Sequence, residues 1–185
     1  MSWRAFAFGV CLAVVLALAG CASSQPIPTS DNPCGLPNFA QVEARAFRSG
    51  QPTTEAQWRC VRDVLGVTDT LKLDRESEGH DDPAFVHVHV VAIPPWTGGV
   101  DFASGPDPQQ VDEIEAVLRS IPGSGGRWLI HCVHGQDRTG VVVGMYRVLG
   151  GWPVAKAKAE MDAYGFHDSL LGLRAAWDRW TKGRP

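Results

Sequence analysis

The spacing of apolar and polar positions changes character several times along the chain, and each change marks an element. Residues 5–19 are apolar except for Gly9 and follow Arg4. That run is shorter than the roughly 20 residues of a bilayer-spanning helix and fits the hydrophobic region of a secretory signal. Residues 23–33 are rich in Ser, Pro and Asn with no period, as a flexible tether is. Residues 48–52 read as a turn. Thr54, Glu55, Ala56 and Gln57 then spell a capping box, and Trp58, Val61, Val64 and Leu65 share one helical face before Gly66, so a helix of about twelve residues is expected. Residues 67–73 alternate Val67, Asp69, Leu71 and Leu73 against Thr68, Thr70 and Lys72, and residues 85–93 are rich in β-branched side chains up to Pro94 and Pro95. Both read as strands. A charged loop covers 75–82, and a Gly-rich one covers 96–106.

Asp107 and Pro108 cap and start a helix with the stripe Val111, Ile114, Val117, Leu118 and Ile121, which the glycines of 123–126 break. Residues 127–131 are a short apolar run, and 139–149 a helix apolar nearly all round, which marks it as buried. Two amphipathic helices, near 153–164 and 169–180, close the chain. Strands alternating with helices define an α/β fold, with a central, mostly parallel sheet of four to five strands flanked by helices. No internal repeat or long linker follows residue 33, so one domain over 38–185 is expected.

With 185 residues, 44% apolar and 20% charged, the chain has material for one globular domain and is too apolar to be disordered. Seventeen basic against twenty acidic residues, a net charge of −3, leave no general cationic surface, which excludes a nucleic-acid binder of the usual kind. An anionic partner must therefore be met by a local site. Five cysteines without a Cys-x-x-Cys pair build neither a disulfide-dense scaffold nor a zinc knuckle. His87 and His89 share a strand face but lack a suitably spaced acidic or cysteine ligand, so they are expected to face solvent; no metal or cofactor is expected.

The segment His131, Cys132, Val133, His134, Gly135, Gln136, Asp137, Arg138, Thr139, Gly140 follows an apolar strand and opens the buried helix. Cysteine and arginine at this spacing are a weak signal alone. With the flanking His, Gly and Thr-Gly, the expected number of chance matches falls to on the order of 10⁻⁵. A strand-to-helix loop turns successive N–H groups inward at the positive end of a helix dipole, which makes a cradle for an oxyanion. Arg138 adds a bidentate fork for two phosphate oxygens. Gly135 gives the loop angles denied to other residues. Cys132, beside a cation and a helix start, is placed to ionise and attack phosphorus.

These ten residues resemble the signature loop of the cysteine-dependent protein tyrosine phosphatase superfamily, in the HCxxGxDRTG form of its dual-specificity and bacterial tyrosine phosphatase branches. The Phe47, Arg48, Ser49, Gly50, Gln51, Pro52 segment and the order of elements extend the likeness over about residues 38–180. The resemblance implies a phosphatase-type domain with Cys132 as nucleophile, Arg138 binding phosphate and stabilising the transition state, the Thr139 hydroxyl bonded to the sulfur and helping it leave, and His131 orienting the loop and tuning the thiolate. Val133, His134, Gly135, Gln136 and Asp137 complete the phosphate-binding loop. A general acid is also needed. Asp101, 31 residues before Cys132 in the Gly-rich loop, is the first choice; Asp137 is the second, and Asp107 is better explained as a helix cap. Trp96 borders that loop and could flank the pocket.

Leu18, Ala19, Gly20 and Cys21 resemble the lipobox of bacterial lipoproteins. This implies that residues 1–20 are a lipoprotein signal peptide, that Cys21 carries the lipid, and that 21–37 tether an exported domain to a bacterial membrane, facing the periplasm and on the outer membrane where there is one. Sixteen basic and twenty acidic residues then remain. In that compartment Cys34 and Cys60 either form a disulfide or remain a free thiol and a small buried residue. The expected activity is hydrolysis of phosphate monoesters, foremost on tyrosine or dual-specificity protein substrates. The alternatives are an inositol-phosphate or other small-molecule phosphatase and, in another class, a catalytically weak phospho-ligand binding module. Expected partners are a phosphorylated protein or small phosphate ester and, through acylated Cys21, the lipid bilayer, with the protein a monomer.

Overall fold

The computed structural model describes residues 31–75, 79–94 and 105–185. Cys21, Trp96, Asp101 and the signal and most of the tether expected before residue 31 lie outside the described residues. In chain order the elements are β1 (Ala40–Glu43), β2 (Ala46–Gly50), α1 (Glu55–Asp63), β3 (Asp69–Lys72), β4 (His87–Val90), α2 (Pro108–Ser120), β5 (Trp128–Cys132), α3 (Asp137–Leu149), α4 (Val154–Ala163) and α5 (Leu171–Thr181). A single 3-10 turn, Ile121–Gly123, ends α2. The strands form one sheet in the order β1-β2-β5-β3-β4; only the β1-β2 hairpin is antiparallel. This is the mostly parallel α/β sheet that the alternation of strands and helices predicts.

β2 and β5 are buried on both faces, and the side chains of the interior strands alternate between two cores. Trp128, Ile130 and Cys132 of β5, with Leu71 and Leu73, face a large core built from α2 to α5. Leu129, with Phe47 of β2, faces a smaller one under α1, with Trp58, Val61 and Leu65. The α1 capping box is formed, with Thr54 accepting from Gln57 N and Gln57 reaching back to the cap. Gly66, at φ +66°, ends the turn that follows α1, in the left-handed conformation a glycine adopts at no steric cost.

Three expectations change. Residues 48–50 are strand rather than turn: β2 pairs in parallel with β5 through Gly50↔Cys132, and Arg48 and Ser49 are fully buried there. Polar residues next to Gly-Gln-Pro carry the composition of a turn, and burial in a charged pocket overrides it. The fold also begins before residue 38. Cys34 and Leu36 are buried, Asn32 exchanges hydrogen bonds with Leu36, and Cys34 is disulfide-bonded to Cys60 of α1 with a Cα–Cα distance of 5.5 Å. Finally, the 75–82 segment is not wholly solvated, because Asp81 turns under the sheet and is buried.

Candidate active site

β5 lies at the centre of the sheet, and the chain leaves its C-terminal end at Cys132, 3% exposed and the free cysteine among the described residues. Crevices beyond the carboxyl ends of parallel strands are where such sheets bind ligands. Five residues later, at Asp137, α3 begins. Its N-cap, Gln136, supplies no side-chain cap, so the first-turn N–H groups and the dipole are left for a ligand.

The loop between them is held from outside by its carbonyls. Val133 O accepts from Gln51 N at 3.1 Å, His134 O from Asn38 Nδ2 at 2.8 Å, and Gly135 O from Arg48 Nη2 at 2.7 Å. In a planar trans peptide the N–H of the next residue points opposite to the carbonyl. Anchoring three successive carbonyls on the scaffold therefore turns the N–H groups of His134, Gly135 and Gln136 the other way, which is the geometry of an anion cradle. Gly135 has φ +74°, and a Cβ there would collide with Gly50 N and the Ser49 carbonyl. No other residue fits.

Arg138, nearly buried, donates from Nη1 to Ile93 O at 3.2 Å, so its guanidinium is tied to the segment leading toward Asp101. Thr139 is fully buried, and its hydroxyl has no hydrogen-bond partner among the described residues. The bond to the Cys132 sulfur that the family resemblance implies is not formed. An unpaired buried hydroxyl costs roughly 1–3 kcal/mol, so this donor stays available to an acceptor brought alongside. Asp137, in the first turn of α3, accepts at Oδ1 from His167 N (2.8 Å) and from the His167 ring (3.0 Å). Asp107 caps α2, taking Gln110 N at 2.8 Å.

Arg48 was legible only as part of a motif, yet it lies at the heart of the site. Its guanidinium is buried, stacks 3.7 Å over the Tyr164 ring, and leaves Nε and Nη1 without a partner. Desolvation lowers its pKa to about 10, against the favourable field of Tyr164, Glu160 and Cys132. It therefore remains a cation at neutral pH.

On the opposite face of β5, His131 is fully buried with its Nε2 3.0 Å from Asp81 Oδ2. Asp81 also accepts from Thr70 Oγ1 at 2.7 Å and Gln51 Nε2 at 3.0 Å. Burial alone would raise the Asp81 carboxyl; the hydrogen bond and charge of His131, with the bonds from Gln51 and Thr70, outweigh it and hold the group at about 2. Lys72 Nζ donates to Gln51 Oε1 at 3.0 Å and lies 3.3 Å from Asp74 Oδ2. Sequence reasoning missed Asp74 and Asp81, and the only available signal was a lysine and an aspartate inside and just after an otherwise apolar strand.

His87 and His89 lie exposed on edge strand β4, 3.7 and 3.4 Å from Asp69 Oδ1, an acid that their own spacing did not reveal. A groove of about 300 Å³, lined by Glu43, Tyr146, Arg147 and Trp152 among others, takes no residue from 131–140.

A buried cysteine and arginine at the two ends of an N–H-lined loop, between a parallel strand and an uncapped helix, define a cysteine phosphatase-type site. Residues 35–170 match the model of the tyrosine phosphatase family, and the chain belongs to that family. The dual specificity protein phosphatase TpbA of Pseudomonas aeruginosa strain UCBPP-PA14 is 38% identical over 135 residues, covering 71% of this chain and 56% of that protein. The chain thus spans little more than half the length of the curated relatives it matches. A crystal structure of P. aeruginosa TpbA is 27% identical with a TM-score of 0.55, over 77% of this chain and 84% of that one; TpbA has also been solved in complex with phosphotyrosine. The catalytic core of the S. cerevisiae PP-IP phosphatase SIW14, at 18% identity and TM-score 0.59 over 80% and 92% of the two chains, shares the fold.

Proposed function

We propose that the chain hydrolyses phosphate monoesters through a phosphocysteine formed on Cys132. The observation that carries this reading is the loop between Cys132 and Arg138, whose three successive carbonyls are bonded outward to the scaffold so that the N–H groups of the same peptides turn the other way. The thiolate attacks phosphorus in line, forming the S–P bond as the ester oxygen leaves with a proton from a general acid. Water, deprotonated by the same group, then attacks the phosphocysteine and releases inorganic phosphate and the thiolate. Arg138 and the loop N–H groups stabilise the charge that develops on the equatorial oxygens. Thr139 assists departure of the sulfur, and His131 sets the loop. Asp101 remains the first choice of acid, since Asp107 is committed as a helix cap and one Asp137 oxygen already accepts two hydrogen bonds from His167.

Phosphorylated protein is the favoured substrate, tyrosine first and with dual specificity, supported by the likeness to TpbA. The exported, lipid-anchored form rests on Cys21 and its lipobox, and the Cys34–Cys60 disulfide accords with an oxidising compartment. In that form the protein is a monomer held to the bilayer by its acyl chain.

The test is Cys132→Ser assayed on an aryl phosphate, on phosphotyrosine and phosphoserine peptides and on inositol phosphates. Turnover is expected to vanish while phosphate binding persists. Undiminished turnover in the variant overturns the mechanism, and a wild type faster on inositol phosphates overturns the substrate choice. Metabolic labelling with a tagged fatty acid, lost in Cys21→Ala, checks the anchor.

A further inference from the structure

Beneath the cradle, on the α1 face of the sheet, the chain buries four titratable side chains in one cluster: Lys72, Asp74, Asp81 and His131. Nothing in the reaction described above uses the two aspartates or the lysine. Among the described residues the charges do not balance if His131 is neutral, because two carboxylates then face one ammonium out of water. Both ring nitrogens of His131 also face carboxylate oxygens, Nε2 at 3.0 Å from Asp81 and Nδ1 at 4.0 Å from Asp74. A neutral imidazole donates from only one nitrogen and would turn a lone pair toward the other carboxylate. An imidazolium hydrogen-bonds Asp81 and meets Asp74 through charge alone, since among the described residues neither Nδ1 nor the Asp74 oxygens has a hydrogen-bond partner, and it brings the described cluster to neutrality.

We propose that Asp81 is a positioning residue of this site, holding His131 as an imidazolium one residue before Cys132 so that the nucleophile ionises more readily. Asp81 is built for this task. Thr70 and Gln51 donate to it, Lys72 fixes Gln51 through Oε1, and Gly79 passes so close that a Cβ there would meet the Gln51 side chain at 2.9 Å. Among the described residues, the charged groups facing His131 are Lys72 and Asp74 at the end of β3 and Asp81 from the segment before β4. From α1 it meets only the edge of Trp58, and its β2 neighbour is Ser49. Successive strand residues point to opposite faces, so the ring does not touch the sulfur. It acts through its charge, alongside Arg48 and Arg138.

The inference rests on Cys132 being the nucleophile. Its test is the pH dependence of Cys132 alkylation by iodoacetamide in the full chain, followed by mass spectrometry of the Cys132 peptide, in wild type, Asp81→Asn and Asp81→Glu. Loss of an opposite charge moves a neighbouring titration by about one unit. In Asp81→Asn the midpoint should rise by about that much, and kcat/KM should fall about tenfold below the midpoint and recover above it, with KM little changed; Asp81→Glu should fall between. An unchanged midpoint in a folded Asp81→Asn overturns the proposal, as does a loss of activity equal at every pH. Should Asp81→Asn fail to fold, ¹⁵N shifts of the wild-type ring, identified by the signal missing in His131→Asn, decide the matter. Imidazolium shifts at neutral pH support the proposal, and neutral-ring shifts, with Asp74 carrying the proton instead, overturn it. A wild type that hydrolyses no phosphate ester refutes the proposed function, while the alkylation midpoint still reports on Asp81.

Discussion

The two faces of the sheet are stabilised by different means. One face carries α2 to α5 over a continuous apolar core in which Leu71, Leu73, Ile130 and Trp128 meet Ile114, Leu118, Val142 and Trp177. The other has one helix of nine residues, a disulfide and a buried polar cluster. Apolar area dominates on the first face, with the largely buried Arg147–Glu160 ion pair at its edge, so its apolar residues are individually replaceable by others of similar volume. The second has too little apolar surface under α1 and substitutes covalent and charged ties, whose chemistry cannot be exchanged. β5, which carries the proposed nucleophile, lies between them: Cys132 faces the thick side and His131 the thin one. Substitutions on the thick face should therefore cost stability first, and substitutions on the thin face should reach the site.

The largest effect expected is from Trp177→Ala. The indole packs against Gly144 of α3, where even a Cβ would come within 2.8 Å of the ring, so truncation opens a cavity beside the helix that carries the loop. A loss of about 4 kcal/mol of unfolding free energy is expected, with kcat/KM nearly intact where the protein remains folded. Urea unfolding alongside the aryl phosphatase assay checks this. A variant of normal stability and lost activity would reverse the assignment of the two faces.

Opening the Cys34–Cys60 disulfide, by Cys60→Ala, should cost about 3.5 kcal/mol on the chain-entropy estimate for a loop of this size. This bond ties residues 31–38 to α1, and Asn38 holds the His134 carbonyl. Activity should accordingly fall more than in Trp177→Ala at equal loss of stability. Equal activity would show that the N-terminal segment stays in place without the bond.

Much of this could be read from the amino acids. The strand and helix pattern, the capping box at Thr54, the cap at Asp107 and the loop at 131–140 are local features, set by spacing and by residue chemistry over a few positions. β1, the strand character of Arg48 and Ser49, and the buried lysine and aspartates are not local. Lys72 and Asp81 read as surface residues because each alone would be; only the parallel pairing that puts Lys72 opposite His131, with Asp81 folded beneath, makes burial tolerable. Polar residues that pair across tens of positions leave no period to detect.

Acid should expose the thin face. Asp81 stands at about 2 in the fold against 3.8 ordinarily, so the folded state prefers its charged form. The stabilisation is complete above about pH 4 and is lost as pH falls from about 4 toward 2, on the order of 2 kcal/mol. Urea midpoints at pH 5, 3 and 2 should converge for wild type and Asp81→Asn. A gap that stays constant over that range would mean the cluster contributes by shape rather than by charge.

The smallest effect expected is at Asp107, on the thick side, and it also bears on the general acid. Its carboxylate accepts from Gln110 N, while Gln110 Oε1 accepts from Asp107 N and Gln110 Nε2 donates to Ala92 O, so the residue starts α2 and ties it to the segment after β4. Asp107→Ala should cost about 1 kcal/mol, the ordinary worth of an N-cap, and Asp107→Asn much less, since the amide oxygen still accepts from the backbone. Neither should lower kcat or move the basic limb of its pH profile, whereas Asp101→Asn should do both. If Asp107→Asn instead lost turnover on a substrate with a poor leaving group while retaining it on one with a good leaving group, the acid would be Asp107, and the cap would be the device that holds it in place.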